Sequence, residues 1–176
     1  MPAHTEYRPF PSLAHKNLIQ ESFEVPTLVH ALRLPRGRRV LEVGCGRGVA
    51  LGPLGALLEP ERLVGIDVDE DALAVARSAS DAELLCADVR ELPFADGAFD
   101  VVVDFGTCYH VSQPERALRE IARVLAPSGL FVHETEIAQL LAHPIRSFGR
   151  SLPWAAAPEL VAARSALCWA SRERVG

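Results

Sequence analysis

The sequence predicts an α/β fold, a doubly wound parallel sheet with helices on both faces that gives three layers. Five short apolar runs alternate with amphipathic segments between residues 39 and 133. The first run leads into a glycine-rich loop at 44–48, which opens a helical segment. Because strands that alternate with helices form parallel sheets with right-handed crossovers, we expect one sheet covered on both faces.

The first 35 residues precede this alternation. Residues 1–12 contain three prolines and predict an irregular arm. Apolar residues recur at helical spacing over 13–34, and Pro26 predicts that this stretch divides into two helices. The segment 10–23 is a candidate lid over a ligand, or a helix that merely covers the sheet.

Three strands form the first half of the predicted sheet. Val40, Leu41 and Val43 give the apolar run expected of a strand buried on both faces. Pro53 falls in the first turn of the following helix, where a missing N–H costs no hydrogen bond. The elements predicted in this half are strand 39–43, helix 50–58, strand 62–67, helix 70–78 and strand 82–87.

Two more strands form the second half. The run 99–105 is strongly apolar, and 113–125 presents one apolar face at helical spacing. Pro-Ser-Gly at 127–129 predicts a turn into a last parallel strand at 130–133. Beyond it we expect short helices at 137–142 and 159–163 and one more strand at 166–170.

We interpret the whole chain, 1–176, as one domain. Its predicted parts are an N-terminal arm and helical cap at 1–35, a ligand-binding core at 36–135 and a C-terminal segment at 136–176.

Composition excludes several classes of partner. The formal net charge of -5 argues against a nucleic acid bound through its phosphates. The four cysteines form no C-x-x-C pair, so no metal site is predicted. No signal peptide and no apolar run of the roughly 20 residues that span a bilayer is evident. We therefore expect a cytoplasmic protein without a membrane span.

Three acids stand at the ends of predicted strands, where doubly wound sheets bind ligands. Glu42 lies two residues before the first glycine of the loop, where it suits an ammonium group and disfavours a pyrophosphate. Asp67 can accept hydrogen bonds from both hydroxyls of a ribose. Asp88 can accept from an adenine amino group, while the amide of Val89 donates to the ring. S-adenosylmethionine (SAM) combines an amino-acid head, a ribose and an adenine.

Five segments also match, in order, the motifs of a known family. Residues 40–48 resemble the first motif of class I SAM-dependent methyltransferases, acid-x-Gly-x-Gly-x-Gly. Four later segments resemble the motifs that follow it in the family: 65–68, 87–94, 99–102 and 117–129. The resemblance covers about residues 38–133, and it is closest to the small-molecule branch that includes ubiquinone and menaquinone methyltransferases. It implies a Rossmann-like fold, SAM as cofactor, and methyl transfer to a small-molecule acceptor by in-line displacement.

The resemblance also implies roles for individual residues. Gly44 and Gly46 would contact the methionine moiety, Asp67 the ribose, and Asp88 and Val89 the adenine. Four further residues in or next to the same motifs are assigned to the cofactor site: Cys45, Gly48, Val68 and Phe105.

Residues after the fourth and fifth strands face the expected position of the methyl group. His110 is a candidate base for a hydroxyl nucleophile, because an ordinary imidazole has a pKa of about 6.5; it could equally pack on the cofactor or cap a helix. With Tyr109 it is also a candidate for substrate binding, although Tyr109 could simply pack in the core. Glu134 is a second candidate base or substrate anchor, or a solvated loop acid. Only a poor nucleophile such as a hydroxyl needs a base.

The C-terminal segment departs from the family pattern. The family usually closes its sheet with two further strands, whereas one convincing strand follows His133 here. A shortened strand region leaves a sheet edge that must be covered or paired, so the sequence also allows a homodimer.

Two other functions stay open at this stage. A non-catalytic SAM-binding module or assembly partner would bind SAM without turnover. An NAD-dependent oxidoreductase would also use Gly44, Gly46 and Asp67. The glycine spacing argues against the oxidoreductase because dinucleotide loops read G-x-G-x-x-G, and Glu42 and Asp88 also argue against it.

Overall fold

The computed structural model describes residues 13–133 and 173–174. The helices in these ranges are α1 (Leu13–Ile19), α2 (Val25–Ala31), α3 (Leu51–Leu58), α4 (Glu70–Ala79) and α5 (Pro114–Val124). The strands are β1 (Arg39–Val43), β2 (Arg62–Asp67), β3 (Glu83–Cys86), β4 (Phe99–Asp104), β5 (Leu125–His133) and β6 (Glu173–Arg174). The arm, the two late helices, the strand at 166–170 and Glu134 lie outside the described residues.

The six strands form one sheet in the order β3-β2-β1-β4-β5-β6. The first five in the chain pair in parallel, and β6 pairs antiparallel with Leu130 and Phe131 of β5. The strand order reverses between β1 and β4, which is where doubly wound sheets bind their ligands. The predicted α/β fold and its Rossmann-like sheet are confirmed.

Side chains of β1 divide between two apolar layers, which explains why Val40, Leu41 and Val43 are all apolar. Leu41 and Val43 pack in a cluster that includes Ile121 of α5. Val40 packs on the other face, in a cluster that includes Leu28 of α2. Alternate residues of a strand face opposite sides, so both faces of this central strand need apolar residues.

The connection from α1 to α2 differs in detail from the two separate helices expected around Pro26. A π-helical turn, Gln20–Glu24, joins α1 directly to α2. Pro26 lies in the first turn of α2 and so removes no helical hydrogen bond that α2 itself needs. Among the residues that the structure describes, no helix combines the length and apolar character required to cross a membrane.

The turn expected at 127–129 lies inside β5 as an irregularity. Phe99 pairs with Leu125, whereas Val101 pairs with Leu130, so β5 carries extra residues opposite Asp100. Ser128 adopts a φ of +67°, which lets the chain bulge and return to the sheet. The strand therefore begins at Leu125, five residues earlier than predicted, because β5 pairs with β4 both before and after the bulge.

Candidate functional site

The glycine loop after β1 turns through left-handed backbone conformations, with φ of +67°, +51° and +77° at Gly44, Gly46 and Gly48. A Cβ at Gly44 would overlap the side chain of Thr107, and one at Gly48 would lie 3.0 Å from the Cβ of Ala76. The protein's own packing thus requires these two glycines. Gly46 differs, since the nearest atom to a Cβ there would be Oδ2 of Asp67 at 4.0 Å.

Asp67, at the end of β2, is fixed by two backbone donors. The N–H of Gly46 donates to Oδ2 across 2.7 Å, and that of Asp69 donates to Oδ1 across 2.9 Å. An ionised carboxylate offers about four acceptor positions, so it can accept further hydrogen bonds. Val68, the next residue and also predicted to belong to the site, is about half exposed.

Glu42 is a buried acid next to the loop, with 2% of its surface exposed. Its Oε2 has no hydrogen-bond partner among the described residues. Burial, together with the nearby charges of Asp67 and Asp104, raises the pKa of Glu42 to about 8. Such a carboxyl would be stabilised in its charged form by a positively charged donor.

The N-terminal helices bring a second buried acid to this region. Burial raises the pKa of Glu24 to about 7. The positive charge of Lys16 on α1 lowers the pKa of both Glu24 and Glu42. Lys16 therefore lies close enough for its charge to act on both acids.

Asp88, expected at an adenine amino group, is held by a residue that sequence reasoning missed. The guanidinium of Arg90 donates to both carboxylate oxygens of Asp88 and, at 2.9 Å, to Oγ of Ser112. An arginine two residues after the acid was the available signal. Val89, the residue after Asp88, is buried.

Asp104, at the end of β4, is fully buried at 0% exposure. Its Oδ1 accepts from the N–H of Thr107 at 2.6 Å, and its Oδ2 accepts from the N–H of Cys108 at 3.2 Å. Its Oδ2 also lies 2.7 Å from Nδ1 of His133, the last residue of β5. Neither residue of this pair was given a role from the sequence.

The thiol of Cys108 stands beside this pair. Its Sγ and the nearest ligand-type atoms of Asp104 and His133 lie within 4.8 Å of one another. Burial and the charge of Asp104 both raise the pKa of Cys108, so the thiol stays protonated. Both oxygens of Asp104 already accept hydrogen bonds, so hydrogen bonds hold the cluster of Asp104, Cys108 and His133 together.

The remaining predicted residues lie either in the loop after β4 or in the glycine loop. Tyr109 and His110 lie in a 3₁₀ turn, Cys108–His110, that follows β4, and the N–H of His110 donates to the carbonyl of Thr107. Phe105 is half-buried and packs against the cluster that contains Val40. The Cys45 side chain packs with Leu51 and Leu73, and burial raises its pKa, as expected of a small residue that fits the turn.

A family model described as a methyltransferase domain matches residues 41–133. The match runs from β1 to the end of β5 and so contains the glycine loop and every acid described above except Glu24. The chain belongs to the class I SAM-dependent methyltransferase family. The family's cofactor is SAM, as the sequence predicted.

Two relatives of this chain are described as methyltransferases. A fatty-acid O-methyltransferase of Mycolicibacterium smegmatis is 34% identical over 55% of this chain and 36% of its own. A probable SAM-dependent methyltransferase of the same organism is 33% identical over 74% of this chain and 50% of its own. The chain thus spans half or less of the length of these relatives.

A solved methyltransferase structure has the same fold. It is described as a SAM-dependent methyltransferase, possible histamine N-methyltransferase, from Thermotoga maritima. The two chains share 26% identity and a TM-score of 0.55, over 68% of this chain and 55% of the other. The narrower resemblance to ubiquinone and menaquinone methyltransferases stays a prediction.

Proposed function

We propose that this methyltransferase domain binds SAM at the glycine loop and moves its methyl group to a small, partly apolar acceptor by in-line displacement. The observation that carries the proposal is Glu42, a buried acid beside the loop, one oxygen of which has no hydrogen-bond partner among the residues that the structure describes. The methionine part of SAM ends in an ammonium group, which would donate to that oxygen and compensate its buried charge.

The other acids fit the rest of the cofactor. Asp67 would accept from the ribose hydroxyls while the Gly46 N–H holds it in place. Asp88, fixed by Arg90, and the backbone of Val89 would meet the adenine. The further residues proposed to line this site are Gly44, Cys45, Gly48, Val68 and Phe105.

The chain's contribution to the reaction is mainly position. When bound, SAM supplies a methyl group on a sulfonium, a leaving group that needs no further activation. The residues around it bind and orient the two reactants, which converts a bimolecular step into one between fixed neighbours. Tyr109, His110 and Glu134 remain candidates for binding or deprotonating the acceptor.

The names of two relatives support the proposed class of acceptor. One acts on fatty acids by its name, and another is named as a methyltransferase of phthiotriol dimycocerosates. These names favour an acceptor with an apolar part.

An NAD-dependent oxidoreductase is the less favourable alternative. A pyrophosphate at the loop would lie close to Glu42, on which the charges of Asp67 and Asp104 already act. A non-catalytic SAM-binding module shares the whole cofactor site and differs only in turnover.

Calorimetric titration with S-adenosylhomocysteine (SAH), alongside NAD, tests the cofactor site. Micromolar binding of SAH with no binding of NAD is the expected result. Binding of NAD alone, or of neither ligand, would contradict the proposal. Transfer of a labelled methyl group to any acceptor then separates an enzyme from a binding module.

A further inference from the structure

We propose that Asp104 and His133 form a base dyad that deprotonates a hydroxyl acceptor, so that the domain methylates an alcohol or phenol rather than a carboxylic acid. This inference rests on the proposed methyl transfer and names the acceptor class and the base for it.

The geometry of the pair fixes which imidazole nitrogen can act. Both oxygens of Asp104 accept backbone hydrogen bonds, from Thr107 and Cys108, and Oδ2 also faces Nδ1 of His133 at 2.7 Å. An ionised carboxylate can only accept, so Nδ1 must carry the hydrogen. The neutral ring then leaves Nε2 as a bare acceptor, which is the form a general base requires.

A base must be accessible to the substrate, whereas the acid that orients it can be buried, and the two residues differ in exposure in this way. Asp104 is fully buried, whereas the His133 side chain is 24% exposed. The ring stacks on Phe131, with 5.5 Å between centroids and 21° between planes, so its orientation is held. Among the side chains that the structure describes, none donates to or accepts from Nε2, which leaves this nitrogen available to a substrate hydroxyl.

Register places the dyad beside the cofactor loop. Asp104 and His133 are directly paired across β4 and β5, and Val103 of β4 is paired with Glu42 of β1. The hydroxyl of Thr107 donates to the carbonyl of Gly44 at 3.4 Å, which links the loop after β4 to the glycine loop. The dyad lies across the point of strand reversal from Asp67, on the side left for an acceptor.

The need for a base selects the acceptor. A carboxylic acid is already ionised near neutral pH, since its pKa is about 4, whereas a phenol ionises only near 10 and an alcohol higher still. A carboxylate acceptor would also be repelled by the negative charge of Asp104. A dyad of this kind serves a hydroxyl.

Proton and electrons balance in a single displacement. The hydroxyl proton moves to Nε2 of His133, and the hydroxyl oxygen uses the released electron pair to bond the methyl carbon. The carbon–sulfur bond breaks and its electron pair stays on sulfur. The imidazolium then releases its proton to water, which restores the dyad.

The test compares matched probes in single turnovers with labelled SAM: 4-octylphenol against 4-octylbenzoic acid, and 1-dodecanol against dodecanoic acid. We expect methylation of the hydroxyl probes and little of the acids. His133→Gln should slow methylation of 4-octylphenol at least about 100-fold, the usual contribution of a general base. SAH affinity should stay within about threefold by calorimetry, since the variant leaves the cofactor residues in place. His30→Gln, at an exposed histidine on α2, is the matched control and should change neither quantity.

Asp104 is a positioning residue, and its test needs readouts beyond the loaded enzyme's activity. In Asp104→Asn an amide N–H₂ would face Nδ1 and drive the ring to the other tautomer. Nitrogen NMR of ligand-free protein should show hydrogen on Nδ1 of His133 in the wild type and on Nε2 in the variant. The pH profile of 4-octylphenol methylation should differ between the wild type and His133→Gln, because the variant has no imidazole at this position.

Several outcomes would overturn the inference while SAH still binds. They are preferential methylation of the acids, methylation of neither class, phenol methylation that His133→Gln leaves unchanged, and hydrogen on Nε2 of wild-type His133. Loss of the phenol activity in His110→Gln but not in His133→Gln would assign the base to His110 instead. A wild-type protein that binds no SAH contradicts the proposed function itself, whatever the NMR tautomer.

Discussion

The N–H of Gly46 donates to Oδ2 of Asp67 across 2.7 Å, so the loop after β1 and the acid that ends β2 form one hydrogen-bonded unit. Asp67 accepts a second N–H from Asp69 on its other oxygen. The carboxylate therefore has a fixed orientation before any ligand arrives. Such preorganisation reduces the entropy lost on binding.

Asp67→Ala should weaken SAH binding at least about 10-fold, because hydrogen bonds to a charged group contribute about 1.5–3 kcal/mol. Asp67→Asn should lose less, since its amide oxygen can still accept from Gly46 while one acceptor becomes a donor. Calorimetric titration measures both. Asp71→Asn, an exposed acid on α4, serves as the control. Unchanged affinity in Asp67→Ala would contradict the ribose assignment.

Gly44→Ala and Gly46→Ala should fail in different ways. Both place a side chain at positive φ, which costs about 1–3 kcal/mol. Gly44→Ala adds an overlap with Thr107, so urea unfolding should show the larger loss of stability there. Gly46→Ala puts its methyl near Asp67 in open space, so SAH affinity should fall at least about 10-fold.

A double variant checks the cause at Gly44. Combining Gly44→Ala with Thr107→Gly removes the overlapping side chain and should recover part of the lost stability relative to the sum of the single changes. Strictly additive losses would mean that the overlap with Thr107 is not what Gly44 avoids.

Stability should fall between pH 7 and 8 because of Glu42. Its pKa is raised from 4.5 to about 8 in the folded chain, so the folded state holds a proton that the unfolded chain has already released. The free energy of unfolding therefore decreases as pH rises above 4.5 and levels off above about 8. Glu24, with a pKa of about 7, contributes in the same direction only at lower pH. Urea unfolding of Glu42→Gln should lack the decrease above pH 7, while Glu115→Gln, on the exposed start of α5, should retain it.

SAH binding at pH 7 should release protons. An ammonium group beside Glu42 favours the ionised carboxyl, so the proton held there leaves on binding. Calorimetry in buffers with different ionisation enthalpies measures the number released. Equal release by the wild type and Glu42→Gln would place the ammonium group elsewhere.

Arg39 and Asp100 offer a stability-only counterpart at the opposite end of the sheet. Asp100 accepts from the Nε, Nη2 and backbone N–H of Arg39 at 2.9–3.0 Å, joining the starts of β1 and β4. Asp100→Ala should lower the free energy of unfolding by about 1–3 kcal/mol, because it leaves these donors without an acceptor. SAH affinity should be unchanged, and a clear loss of affinity would mean that the two ends of the sheet are coupled.

Local sequence patterns were enough to predict most of the fold. Strand β2 was predicted with its observed bounds, and β1 likewise, because apolar runs, acids and glycines mark strand ends within a few residues of chain. The bulge in β5 was missed because Pro127, Ser128 and Gly129 also suit a turn. Pairing with β4 across the sheet decided between the two.

The candidate site divides in the same way. The sequence by itself determined the order of elements, the glycine loop and the acids Glu42, Asp67 and Asp88, since each depends on its neighbours in the chain. Only the tertiary structure decided that Arg90 holds Asp88, that Glu42 has a buried oxygen without a partner in the described part of the chain, and that His133 pairs with Asp104. The last two depend on strand register and layer packing, which bring together residues far apart in the chain, and no local pattern encodes which of them will meet.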